Sequence, residues 1–208
     1  MSFIRENRLF FLCFAVFAVG GAILLEHLPQ GEEIIWLSRH RSPAADVFFK
    51  GATLLGEGYI FFAVGFVFLY LRRRDWIWSS VLGLLVMLTA YGAKTWFAHD
   101  RPYAWFQKMG QWAAVTPVPG VDMHSGATSF PSGHTMAAFA IYSFLAFTVS
   151  PKRGWPLLLF AVALTVGVSR MYLVQHFWKD VYFGALIGVA LAWGVYVGSG
   201  RARYGCAG

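Results

Sequence analysis

Charge is what this 208-residue sequence has least of: Asp, Glu, Lys and Arg together make up 13% of it. So thin a charged coat cannot cover a globule that also holds 20 Phe, 9 Trp and 9 Tyr, which excludes an ordinary soluble basic protein. Cysteine is nearly absent. Cys13 falls in an apolar run and Cys206 in the final residues, so no disulfide framework organises the chain and both are read as free thiols. The tail after Cys206 is too short to be a prenylation signal. Internal repeats and low-complexity tracts are missing as well. Carboxylates are outnumbered, 10 Asp+Glu against 17 Lys+Arg, and the net charge of +7 leaves nucleic acid and an anionic membrane surface open until the surplus is located along the chain.

What the sequence has in abundance is apolar length. It is 58% hydrophobic with a mean hydropathy of +0.55. Six segments, at about residues 9–27, 53–71, 76–98, 133–149, 155–173 and 181–198, approach the roughly 20 residues that cross a bilayer as a helix. The expected fold is therefore all-α, an integral membrane bundle of six transmembrane helices, and the length allows one domain over residues 1–208. The first segment has a charged prefix, Arg5-Glu6-Asn7-Arg8, and Ala18-Val19-Gly20 is a faint cleavage pattern. Its apolar run continues to Leu25, which favours an uncleaved anchor over a signal peptide.

Connections between segments are of two kinds. Arg72-Arg73-Arg74-Asp75 and Lys152-Arg153-Gly154 are tight turns, whereas residues 28–52 and 99–132 are long. Ile34 to Leu37, beside Arg39, His40 and Arg41, suggest a short interfacial helix. Trp105, Phe106 and Trp112 have the character of interfacial aromatics. On the side of the tight turns, Arg5, Arg8, Arg72, Arg73, Arg74, Lys152, Arg153, Arg201 and Arg203 are opposed only by Glu6 and Asp75, so that side carries the whole surplus of +7. On the other side, Arg39, Arg41, Lys50, Lys94, Arg101, Lys108, Arg170 and Lys179 are balanced by Glu26, Glu32, Glu33, Asp46, Glu57, Asp100, Asp122 and Asp180. The positive-inside rule places both termini in the cytoplasm and the long loops outside. The charge thus reports membrane orientation and makes no case for nucleic acid.

Three polar clusters interrupt the apolar pattern, and the expected topology brings all three to the outer face. In Lys94-Thr95-Trp96-Phe97-Ala98-His99-Asp100-Arg101-Pro102, the seven-residue spacing puts Lys94 and Arg101 on one side, roughly 10 Å apart along the axis, if the helix persists. Pro102 disfavours helix at Arg101. Taken alone, the pair also suits two cations snorkelling to an interface. Phe130-Pro131-Ser132-Gly133-His134 opens the fourth helix, whose free amides at Ser132, Gly133 and His134 make an anion cradle; an ordinary Ser cap with an interfacial His stands equal to it. In the stretch from Ser169-Arg170 to His176 and Asp180, the last two are i and i+4, so on a helix the carboxylate would hold one ring nitrogen and leave an oriented, neutral imidazole. For that pair alone, a buried His satisfied by an Asp is the competing reading.

The clusters weigh more together than apart. Each ionisable residue near membrane depth costs about 2.5 to 3.5 kcal/mol even on a lenient scale, so six gathered at one face imply a purpose. Lys94, Arg101 and Arg170 with helix-end amides suit an anion of more than one charge. Two histidines beside them, His176 backed by Asp180, supply the nucleophile and the acid of a phosphoryl transfer.

In order and spacing, these eleven residues resemble the three-part signature of the type 2 phosphatidic acid phosphatase superfamily, the lipid phosphate phosphatases. The signature runs Lys94, Arg101-Pro102; Pro131-Ser132-Gly133-His134; Ser169-Arg170, His176, Asp180, with no departure. The resemblance implies that His176 attacks phosphorus to form a phosphohistidine and Asp180 orients it. His134 would protonate the leaving oxygen and then activate water. Lys94, Arg101, Arg170, Ser132 and Gly133 would bind the phosphoryl oxygens, while Pro102, Pro131 and Ser169 support geometry. It implies no metal and no cofactor, and the histidines show no metal-ligand spacing. His99 and Asp100 are not specified by the signature and are left as interfacial. Glu57, between Gly56 and Gly58, is read as a helix cap, with an ion pair to an active-site cation as the alternative.

The expected protein is a lipid phosphatase of the cytoplasmic membrane whose partners are the bilayer and a lipid phosphate at the outer face. Undecaprenyl diphosphate, phosphatidylglycerol phosphate and phosphatidic acid are the candidate substrates. A phosphotransferase that passes the group to another lipid shares the same chemistry, the loop of residues 103–130 being the segment that would control water entry. A vanadate-dependent haloperoxidase has a related anion site but not six apolar segments, and a transporter or scaffold would not need His134, His176 and Asp180.

Overall fold

The computed structural model describes residues 3, 7–149 and 154–200. Arg5, Lys152, Arg153, Arg201, Arg203 and Cys206 lie outside the described residues. Among those described, every regular element is helical: α1 (Arg8–His27), α2 (Glu32–Arg39), α3 (Pro43–Leu54), α4 (Tyr59–Tyr70), α5 (Asp75–Phe97), α6 (Pro102–Lys108), α7 (Gly133–Thr148), α8 (Trp155–Tyr172) and α9 (Trp178–Gly198), with one 3-10 turn at Trp112–Ala114.

Apolar side chains dictate where these helices sit. α1 turns Leu12, Val16 and Val19 outward and α4 does the same with Phe62, Phe66 and Tyr70, a surface that water would not tolerate and hydrocarbon solvates. The chain is a membrane-embedded, multi-pass protein. Among the described residues, four stretches are long and apolar enough to cross a bilayer, those of α1, α5 continuing through α6, α8 and α9; α3 with α4 makes a fifth if the bent pair is one span. This is fewer than the six expected. One reason is that α7 has only 16 residues, held between the Ser132 cap and an extended Val149. Another is that the segment expected at 53–71 is broken, with a 59° bend between α3 and α4. Gly56 lies in that break, so close to α7 and α8 that a Cβ there would stand 2.5 Å from Val166 Cγ1 on α8 and 2.8 Å from the His134 carbonyl oxygen on α7. The break is therefore a packing requirement, and it carries Glu57 to the start of α7.

α7 is the central helix, buried along nearly all its length, with α5, α8 and α9 around it and α1 lying over α8 and α9. Gly184 and Gly188, four residues apart on α9, set the closest approach. A Cβ on Gly188 would meet the Met136 carbonyl oxygen at 2.5 Å, and one on Gly184 the Ser132 carbonyl oxygen at 2.8 Å. Small residues at this spacing let two helix backbones touch, the usual device for helix association in lipid. The consequence is local. The first turns of α7 and α9 are clamped together, and the Ser132 N–H donates to the Asp180 carbonyl at 3.0 Å.

The opposite end is closed by Arg73, which bonds the buried Asp75 at 2.8 Å and the Thr148 carbonyl at 3.0 Å. At the site end, α2 lies where a short interfacial helix is expected, with Ile34 buried and Trp36 exposed. Its Glu33 carboxylate accepts from the Trp178 N–H at 2.8 Å and the Gly31 N–H at 3.0 Å, fixing the start of α9; burial pushes this carboxyl up from its ordinary value of 4.5. The segment after α6 is tied down by Arg41, which donates to the carbonyls of Thr116 and Pro117, and by Lys50, which donates to that of Pro119.

Candidate active site

The three polar clusters converge at one end of the bundle, each by a local device of its own. α5 ends at Phe97 because Ala98 turns into the left-handed region at φ 46°, and Arg101 is extended at ψ 156° ahead of Pro102. The helix therefore does not persist from Lys94 to Arg101, as the proline forewarned. Arg101 instead returns through the loop, its Nε donating to Thr128 Oγ1 at 3.2 Å and its Nη1 to Gln175 Oε1 at 3.5 Å. Lys94 approaches from α5 and would lie 3.6 Å from a Cβ at Gly133. Arg170, buried near the end of α8, donates through Nη1 to Thr53 Oγ1 at 2.6 Å, while its Nε has no hydrogen-bond partner among the described residues. None of the three cations forms an ion pair with a carboxylate among the described residues.

Ser132 caps α7: its Oγ accepts from the Thr135 N–H at 3.4 Å and the Thr135 hydroxyl at 2.8 Å. With its own N–H committed to Asp180, the amides left at this helix start are those of Gly133 and His134. The Ser cap expected from the sequence is formed, while of the three amides expected to make an anion cradle that of Ser132 is already taken.

His176 is 2% exposed and lies in the short connection between α8 and α9. It is not helical, so the i,i+4 spacing does not act through a helix here. Asp180 sits in the first turn of α9, where Oδ2 accepts from the Phe177 N–H at 3.0 Å and the Ser129 hydroxyl at 2.5 Å and lies 3.5 Å from His176 Nδ1. Ser129 Oγ is itself 3.5 Å from that nitrogen. Asp180 is a helix-start carboxylate first and the partner of the ring through the same oxygen. Burial pushes the His176 imidazole down from 6.5 to about 3; Asp180 resists the fall, and Arg170 and Arg101 add to it. At neutral pH the ring is uncharged and carries a lone pair.

His134 is held differently. Its Nε2 bonds Glu57 Oε1 at 2.8 Å, so Glu57 pairs with the histidine and not with a cation or a helix end. Both residues line a cavity of about 460 Å³ that opens between α4 and α5 over Phe61, Leu84, Met87 and Ala90.

Sequence spacing did not reveal Ser129, Thr53, Thr128, Gln175 or the Glu57–His134 pair. Glu57 had a usable signal, a carboxylate inside an apolar run; the others are common polar residues whose partners are far away in sequence. His99 and Asp100 stay at the margin, Asp100 pairing with Lys108 at 2.7 Å. No group of three or more His, Cys, Asp or Glu suited to a metal ion occurs among the described residues.

A membrane bundle that presents three cations outside any ion pair among the described residues, helix-start amides and an uncharged buried imidazole at one end has the features of an anion-handling membrane protein. Residues 76–204 match the family model of the PAP2 superfamily, a stretch containing all three clusters, and the chain belongs to that superfamily. It is similar to the probable diacylglycerol pyrophosphate phosphatase 1 of Schizosaccharomyces pombe, 31% identical over 72% of this chain and 60% of that protein. It is also similar to phosphatidylglycerophosphatase B of Bacillus subtilis, 35% identical over 54% of this chain and 64% of that protein. The chain thus spans less than two thirds of the length of either relative. Its backbone resembles the crystal structure of Aquifex aeolicus LpxE with a TM-score of 0.68, at 27% identity over 81% of this chain and 94% of that one.

Proposed function

We propose that this protein is a lipid phosphatase, removing the terminal phosphate of a lipid phosphate or diphosphate through a phosphohistidine on His176. The observation that carries the reading is the set of three cations, Lys94, Arg101 and Arg170, none of them in ion-pair contact with a carboxylate among the described residues, beside an uncharged His176. A buried Arg170 with half-buried Lys94 and Arg101, none in an ion pair among the described residues, carries a desolvation cost that a bound phosphoryl group lowers. The names of the relatives, a diacylglycerol pyrophosphate phosphatase and a phosphatidylglycerophosphatase, support the substrate class.

The chemistry is written in two displacements. The His176 lone pair forms a bond to phosphorus as the bond to the leaving oxygen breaks, and His134 gives that oxygen a proton. Water then attacks phosphorus, His134 takes its proton, and the N–P bond breaks to release phosphate. Lys94, Arg101, Arg170 and the amides at Gly133 and His134 hold the phosphoryl oxygens, with the Ser132 hydroxyl adjacent. Asp180 orients the His176 ring. The cavity between α4 and α5 takes the start of the lipid tail, so that the headgroup reaches the cations while the chain stays in the bilayer.

Residues 1–208 act as one membrane-embedded unit in this reading, with both termini in the cytoplasm and the site facing the outside of the cytoplasmic membrane. No metal is assigned a step, and EDTA should leave turnover unchanged. The testing experiment is phosphate release by the purified protein from undecaprenyl diphosphate, phosphatidylglycerol phosphate, phosphatidic acid and a soluble phosphomonoester. Release from at least one lipid well above the soluble ester is expected; release from none of them contradicts the proposal.

A further inference from the structure

His134 must hold a proton beside cations if it is to protonate a leaving group. It is faced by Arg170 from α8 and Lys94 from α5, and on the α9 side the Asp180 carboxylate is turned away to Ser129, Phe177 and His176. The anion that reaches it comes from the break between α3 and α4: Glu57 Oε1, 2.8 Å from His134 Nε2. This placement is built in. Gly56 packs against the His134 backbone with no room for a Cβ, so the next residue is delivered to the ring. Glu57 also lines the apolar cavity to which the lipid tail is assigned.

We propose that Glu57 is a positioning residue for proton transfer: by bonding His134 it orients the ring and offsets Arg170 and Lys94, keeping a proton available for the leaving oxygen. This deepens the proposed function and rests on its assignment of His134. The role has a signature that a merely structural contact lacks. A general acid matters in proportion to the basicity of the leaving group, so its loss is felt with an alcohol and little with a nitrophenol.

The test compares kcat/KM, which reports steps up to departure of the leaving group, for dodecyl phosphate and for a nitrophenyl phosphate carrying the same dodecyl chain. The matched tail keeps cavity binding constant. Glu57→Gln preserves shape and removes the charge. It should lower kcat/KM for dodecyl phosphate by about tenfold or more, up to the roughly 10²- to 10⁴-fold that general acid catalysis supplies in all, and leave the nitrophenyl ester within about threefold. His134→Ala should show the same selectivity more strongly, and the double variant should be no worse than His134→Ala alone. Equal losses on both esters in Glu57→Gln, or losses that add to those of His134→Ala, overturn the inference while leaving the proposed function standing. A His134→Ala variant without leaving-group selectivity overturns both.

Discussion

The two histidines of this site stand in opposite surroundings. His176 is 2% exposed, in a connection pinned from both sides: Asp180 and Ser129 meet its Nδ1, and Glu33 fixes the first amide of α9. The side chain of His134 is 27% exposed, opens onto an apolar cavity, and has as its acidic partner a carboxylate that is itself 41% exposed. The closed histidine suits a nucleophile that must be uncharged and already aimed. The open one suits a proton carrier that must reach a leaving lipid in one half of the reaction and water in the other.

The largest effect expected from breaking this asymmetry is at the closed end. His176→Asn should abolish phosphate release while circular dichroism in detergent stays that of the parent; persistent turnover would show that another group attacks. Next comes the anion cluster. Arg170→Ala removes one or more charge-assisted bonds of about 1.5 to 3 kcal/mol, roughly ten- to two-hundred-fold in kcat/KM, and inhibition by vanadate should weaken in parallel. Ser129→Ala deletes the hydroxyl that shares Asp180 Oδ2 with the ring; a loss of severalfold in kcat with little change in KM is expected, on the order of one neutral hydrogen bond of about 1 kcal/mol.

Two smaller effects concern stability. Gly188→Ala places a methyl against the Met136 carbonyl and should destabilise the α7–α9 contact by about 1 to 3 kcal/mol, seen as a lower melting temperature in detergent. The pH dependence follows from His176. Its folded-state value of about 3 is below the 6.5 of an exposed imidazole, so between those limits the unfolded chain binds a proton that the folded one refuses. Stability should therefore be fullest above pH 6.5 and fall as pH drops toward 3. His176→Asn should flatten that slope, and a slope unchanged in the variant would place its origin elsewhere.

Much of this site was legible in the linear chain because its parts are short and local. Pro102 after Arg101, the Ser132 cap with Gly133, and Ser169-Arg170 ahead of His176 and Asp180 each announce a helix end, and membrane topology gathers such ends on one face. Helical periodicity was the poorer guide there. Neither Lys94 with Arg101 nor His176 with Asp180 is joined by a continuous helix, because Ala98 and Phe177 interrupt it. What stayed hidden is contact between distant segments. Ser129 meets Asp180 across 51 residues and Thr53 meets Arg170 across 117, and no spacing rule links such pairs. The broken span at residues 55–58 was partly visible as Gly56-Glu57-Gly58, but the apolar residues on both sides made 53–71 read as one segment, and the packing of Gly56 against α7 and α8 at the bend could not be seen in it.

The most direct measurement is to trap the phosphoenzyme in His134→Ala with the dodecyl nitrophenyl phosphate. That ester releases its leaving group without help from an acid, while the water step lacks its base, so phosphate should accumulate on the protein as an acid-labile, base-stable label. The predicted result is label on the peptide containing His176, lost when His176→Asn is added. Turnover with no label on that peptide, or label that survives His176→Asn, would contradict a phosphohistidine at this position.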